Sequence, residues 1–136
     1  MKYFKCNYNR TEFYSIMGKY FAERNYRKLM PYLVNDDKTE WIIKTNKENE
    51  VLGFISFIER KDKITIGYLF IEEIENKKDI QDEIIMEFYN QHVSKEMYAE
   101  VEKHFDIDIY LDLGFEVIKE STNYYYLVRR KPYEII

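Results

Sequence analysis

Little in this sequence crosslinks or punctuates the backbone: its 136 residues hold one cysteine, two prolines and four glycines. A lone thiol, Cys6, excludes an internal disulfide and a thiolate metal cluster, and in an edge-strand position it reads as a small apolar filler. Four glycines leave little material for a glycine-rich phosphate loop. No apolar run approaches the ~18 residues of a membrane span, and the first residues lack the apolar core of an export signal. The expected location is therefore the cytoplasm. A formal net charge of −4 denies the chain the cationic excess of a broad nucleic-acid surface. Neither nucleic acid nor membrane is an expected partner. His92 and His104 have no neighbours at metal-ligand spacing, so they read as surface histidines and no metal is expected.

What the chain has is aromatic bulk. Fourteen tyrosines and nine phenylalanines, within a composition 46% apolar, suffice for one packed core. No linker, repeat or low-complexity tract divides it, so residues 1–136 are expected to form a single domain. The organising stretch is a strand expected over 64–71, apolar on both faces. Ile64, Ile66, Tyr68 and Phe70 fall on one face, and Gly67, Leu69 and Ile71 on the other. A polar turn over 72–78 leads into a helix over 79–93, in which Ile80, Ile84, Ile85 and Phe88 recur at helical spacing. A strand feeding a helix in this way aims free backbone N–H groups over the strand end, where many folds bind phosphate.

Before that unit the spacing predicts a strand over 2–7 and a helix capped by Thr11, with Phe13, Ile16, Met17, Tyr20 and Phe21 on one face. A second helical segment over 25–34 is expected to be kinked or shortened by Pro31. Strands over 41–45 and 51–60 then form a meander with the central strand. After it come a strand over 97–101, a short helix over 105–113 ended by Gly114, a hairpin of 116–120 with 124–130, and a loose tail over 131–136. The helical crossover makes 64–71 and 97–101 parallel. The predicted fold is α/β: a mixed, mostly antiparallel twisted sheet with helices on both faces.

This order resembles the GNAT superfamily of N-acetyltransferases. The family's V-x-P-E-x-R-G-x-G-x-G aligns without a gap on Ile71-Glu72-Glu73-Ile74-Glu75-Asn76-Lys77-Lys78-Asp79-Ile80-Gln81. Its Y-x-x-x-G-F aligns on Tyr110-Leu111-Asp112-Leu113-Gly114-Phe115, and its third-strand V-x-G-F on Val51-Leu52-Gly53-Phe54. The resemblance implies acetyl-CoA as cosubstrate, a V-shaped cleft between the two parallel strands, and direct acetyl transfer to a small-molecule or peptide amine. It implies cofactor contacts at Leu69, Ile71, Asn76, Lys77, Lys78, Asp79, Ile80 and Gln81. It also makes Tyr110 the acid that protonates the departing thiolate. A homodimer is possible in such a fold. Lys77, Asp79 and Gln81 stand where the family has glycines, and Asn76 where it opens with Arg or Gln. Contact with a pyrophosphate is therefore expected through the Lys77 and Lys78 side chains more than through backbone N–H groups.

Plainer readings stand beside these. Asn76–Gln81 is equally a helix N-terminus with Asp79 set favourably against the dipole, and Tyr110 equally a core aromatic. Glu72 and Glu73 follow the strand end as base candidates, or are solvated turn residues. The rings of Tyr124, Tyr125 and Tyr126 fall on both faces of the closing hairpin and serve packing first, an acceptor-pocket lining or dimer seam second. Arg129, Arg130 and Lys131 read as a solvated basic end. The alternative to an enzyme is a degenerate protein of this fold without catalysis, acting as a protein-interaction or small-molecule-sensing module.

Overall fold

In the computed structural model, which describes residues 1–130, strand alternation divides the apolar side chains between two layers. The elements are β1 (Lys2–Phe4), α1 (Arg10–Ala22), α2 (Arg24–Leu29), β2 (Thr39–Thr45), β3 (Val51–Glu59), β4 (Lys63–Ile71), α3 (Lys77–His92), β5 (Glu96–Glu102), α4 (Asp108–Asp112), β6 (Glu116–Glu120) and β7 (Tyr124–Arg129). The strands form one sheet in the order β1-β2-β3-β4-β5-β7-β6. β4 and β5 are parallel and every other neighbouring pair is antiparallel. On one face α3 buries Ile84, Ile85 and Phe88 against Ile42, Ile55, Ile64, Ile66 and Met97. On the other, α1 brings Phe13, Met17 and Tyr20 onto Trp41, Ile43, Phe54 and Phe70, and α2 adds the partly buried Tyr26 and Leu29. The expected tail over 131–136 lies outside the described residues.

Several boundaries differ from expectation for identifiable reasons. Asn9, not Thr11, caps α1: its side chain accepts the Glu12 N–H at 3.1 Å. α2 keeps only six residues and ends ahead of Pro31, whose ring is incompatible with the turn before it. α3 begins at Lys77, two residues early, because Asn76 already occupies the cap position. α4 shrinks to five residues. Its end is a paired cap: Phe115 N–H donates to the Tyr110 carbonyl at 3.0 Å and Gly114 N–H to the Leu111 carbonyl at 3.1 Å. Gly114 has φ of 92°, the left-handed conformation that this cap requires and that glycine adopts without penalty.

Two features of β4 shape the middle of the sheet. Its pairing with β5 runs only from Lys63↔Glu96 to Ile66↔Ala99, so the strands part towards their C-terminal ends. Opposite β3, the register steps from Ile55↔Leu69 to Phe57↔Ile66, so β4 carries one extra residue around Gly67 and Tyr68. The bulge reverses the alternation expected from sequence. Ile64 and Ile66 face the α3 layer, but beyond the bulge Tyr68 and Phe70 face the α1 layer and Ile71 returns to α3. A Cβ on Gly67 would lie 2.5 Å from Ser56 Oγ, and that oxygen accepts the Tyr68 N–H at 3.0 Å.

Three side chains assigned to the surface, or to filling a gap, belong elsewhere. His92 is buried, 7% exposed, with Nδ1 at 2.8 Å from the Phe88 carbonyl, and burial pulls its pKa below the usual value. Arg129 is buried and donates through Nη2 to the carbonyls of Val93 and Lys95 at 2.6 and 3.0 Å. It thereby satisfies backbone groups at the C-terminal end of α3 that the helix itself leaves open. Cys6 lies beyond β1 and is exposed, so it fills no apolar gap.

Candidate functional site

Where β4 and β5 part, a cavity of ≈ 670 Å³ opens between them. Its walls are Leu69 and Ile71 of β4, Glu100 and Glu102 of β5, Lys77, Lys78 and Gln81 at the start of α3, and Tyr110 of α4. Among the sequence-derived cofactor residues, Asn76, Asp79 and Ile80 do not line it. Ile80 points the other way, into the core at 5% exposure, because the helical repeat that brings Lys77 and Gln81 to the cleft turns it inward. The Lys77 ammonium contacts Glu73, and Lys78 Nζ lies 3.6 Å from Asp82. Both pairs are well exposed, so they are weak and exchange partners at little cost. The first turn of α3 adds N–H groups without intrahelical acceptors.

Tyr110 is 3% exposed and packs edge-on against Phe115, with centroids 5.3 Å apart. Burial drives its phenol pKa well up, so the hydroxyl holds its proton at neutral pH. Its place in the cleft wall and its place in the core are one position. The two readings of this residue coincide in space.

A second cavity, of ≈ 530 Å³, lies on the α1 side of the sheet and shares Gly67, Tyr68, Glu100 and Glu102 with the first. The shared point is organised by Glu102, a carboxylate only 8% exposed. Tyr68 Oη donates to Glu102 Oε1 at 2.5 Å, and His104 Nε2 lies 3.3 Å from Glu102 Oε2. The same His104 nitrogen is 3.2 Å from the Leu29 carbonyl, so between two acceptors it carries hydrogen. Tyr68 in turn accepts the Tyr32 N–H at 3.3 Å. Its phenol pKa is pushed up by burial first and by the hydrogen bond to Glu102 second. Tyr32 and Tyr124, with centroids 6.4 Å apart, form the outer wall. Burial, then the contact with Tyr32, pushes the Tyr124 phenol up to about 12.

The two acids expected as base candidates are otherwise employed. Glu72 accepts hydroxyls from Tyr20 and Tyr26, each at 2.6 Å, tying α1 and α2 to the end of β4. Glu73 is 87% exposed in its side chain and pairs with Lys77. Sequence reasoning missed Tyr68, Glu100, Glu102 and His104. A signal was present in β5, where Glu100 and Glu102 alternate with the buried Ala99 and Val101. Ending that strand at 101 left Glu102 outside it.

No protein-family model matches the sequence, and no curated protein sequence does either. Solved structures do match in fold. ElaA of Escherichia coli superposes with a TM-score of 0.70 at 15% identity, covering 95% of this chain and 97% of that one. The aminoglycoside 6'-N-acetyltransferase from Enterococcus faecium gives 0.64 at 11% identity, covering 99% and 100%. The PaiA N-acetyltransferase from Thermoplasma acidophilum, solved in complex with coenzyme A, gives 0.59 at 17% identity over 93% and 81%. The chain has the GNAT fold, the mixed sheet of the acyl-CoA N-acyltransferases, as its motifs suggested.

Proposed function

We propose that this protein is an acetyl-CoA-dependent N-acetyltransferase acting on a small amine. The observation that carries the reading is the junction of the two cavities at the parting of β4 and β5. One cavity meets a helix N-terminus with two lysines, the other is walled by Tyr32, Tyr68 and Tyr124, and they meet at Tyr68 and the carboxylates of Glu100 and Glu102. A donor bearing phosphates suits the first and a cationic acceptor the second. Several of the similar structures are of acetyltransferases, which supports the same chemistry.

The residues present fit the donor through side chains. Lys77 and Lys78 can leave their exposed carboxylate partners for a pyrophosphate, with the first turn of α3 behind them. Leu69 and Ile71 lie on the part of β4 not paired with β5 and line the cavity, where they would hold the apolar part of the donor. Acetyl-CoA would supply an activated acetyl thioester, whose carbonyl carbon forms the new C–N bond as its C–S bond breaks. Glu102 would take the proton that the amine nitrogen must lose, with one of its oxygens held by the hydrogen bond from Tyr68. Tyr110 holds a proton at its hydroxyl on the cleft wall, available to a leaving sulfur.

A second reading, a binding module without catalysis, is favoured by the ion pairs that already engage Lys77 and Lys78 and by the acids Glu73, Glu75 and Asp106 along the same cleft. Melting the protein with and without acetyl-CoA separates the two. At 100 times its dissociation constant a ligand adds about 2.7 kcal/mol, which raises Tm by roughly 10 °C in a domain of this size. An unmoved Tm at millimolar acetyl-CoA, with no thiol released in the presence of amines, would refute the transferase.

A further inference from the structure

We infer that the tyrosine-walled cavity on the α1 side binds a short aliphatic diamine or polyamine, with one nitrogen at Glu100 and another at Glu102. The inference rests on the acceptor side of the reading above and names its substrate class. The described lining of this cavity contains two carboxylates and no lysine, arginine or histidine. Glu102 is not a solvated strand residue. It is 8% exposed, stands opposite Tyr124 in the β5–β7 register, and has one oxygen engaged by Tyr68. Among the described residues no lysine or arginine forms an ion pair with Glu102, and its other oxygen faces only the half-exposed His104. A buried carboxylate without a full counter-charge is costly, and a ligand cation relieves that cost.

Spacing and wall chemistry narrow the ligand. Glu100 and Glu102 share one face of β5 two residues apart, so their Cα atoms are separated by about 6.6 Å. A short extended diamine places two nitrogens across such a gap. The cavity is also lined by Tyr32, Tyr68 and Tyr124, and aromatic rings attract alkylammonium groups. An acceptor carrying its own carboxylate, such as a free amino acid, meets two glutamates and is rejected. One carboxylate then holds the distal ammonium while the other faces the nitrogen that reacts.

The test is calorimetric titration of the whole chain, without acetyl-CoA and at low ionic strength, with tetramethylenediamine, n-butylamine and γ-aminobutyrate. The diamine should bind at least about tenfold more tightly than butylamine, and γ-aminobutyrate should not bind. Glu100→Gln, at an exposed position where folding is undisturbed, should bring the diamine down to the level of butylamine. Glu116→Gln, at an exposed position on β6, should keep the full difference. Equal affinity for the three ligands, or an undiminished diamine preference in Glu100→Gln, overturns the assignment. Melting the same preparation with acetyl-CoA separates this failure from that of the transferase reading. Diamine binding without an acetyl-CoA response upholds the site and removes the transferase, whereas an acetyl-CoA response without diamine preference overturns the polycation site alone.

Discussion

At Tyr110 the backbone carbonyl accepts the Phe115 N–H that closes α4, while the ring packs on Phe115 and borders the cleft. The Y-x-x-x-G-F motif is thus a helix cap first, with tyrosine at its third-from-last position, glycine at the left-handed one and phenylalanine making the apolar contact. That makes Tyr110→Phe informative, since it keeps the ring and removes the hydroxyl alone. If the hydroxyl donates a proton, turnover should fall roughly 10²–10⁴-fold while Tm and acetyl-CoA affinity barely move. If the ring serves packing only, activity should stay within a few-fold, and Tm should again barely move because, among the described residues, no hydrogen bond is lost with the hydroxyl. Tyr110 was legible because its motif is local. Tyr68 and Glu102 were not, because each acquires its partner from a distant part of the chain. His92 was misread although its signal existed: Ile80, Ile84, Phe88 and His92 follow one another at four-residue intervals on the buried side of α3.

Two elements carry the site, and each makes a prediction. The bulge in β4 turns Tyr68 from the α3 layer to the α1 cavity, and it depends on Gly67 lying against Ser56. Gly67→Ala should destabilise the protein by about 1–3 kcal/mol in urea denaturation, as overpacking does. Adding Ser56→Ala removes the clashing oxygen, so the double variant should lose less than the sum of the two singles. Strict additivity would show that the contact is not the source of the strain. The second element is the first turn of α3. Lys77→Ala with Lys78→Ala should weaken acetyl-CoA binding, more so at low ionic strength where screening is least. Their surface ion pairs contribute little, so Tm without ligand should hardly change. Unchanged affinity in that double variant would mean that backbone N–H groups alone hold the phosphates. The turn was located from sequence through its alignment with the family motif. Its exact start was not, because capping at Asn76 depends on backbone angles that the motif letters do not fix.

At the scale of the whole molecule, the sheet joins two apolar layers that hydrophobic alternation announces along each strand. The parallel pairing of β4 with β5 agrees with the expectation drawn from the helical crossover, and their parting beyond Ile66 and Ala99 with the cleft that the family resemblance implied. No helix among the described residues is long and apolar enough to cross a membrane. The resemblance to the GNAT superfamily located the cleft, while length and periodicity were enough to indicate an α/β fold with a mixed sheet and its element order. Those properties follow from interactions between residues close in sequence, or from the handedness of connections, and both are written in the local pattern. Tertiary structure alone decided which side chains meet at the cleft. It drew Glu72 away from chemistry to bind Tyr20 and Tyr26, sank Arg129 beneath the end of α3, and set Glu102 between Tyr68 and His104. For Tyr68 the physical reason is register: one extra residue in β4 exchanges the faces of the β4 side chains after it, and no periodicity in the sequence records that step. For the others it is a partner distant in the chain.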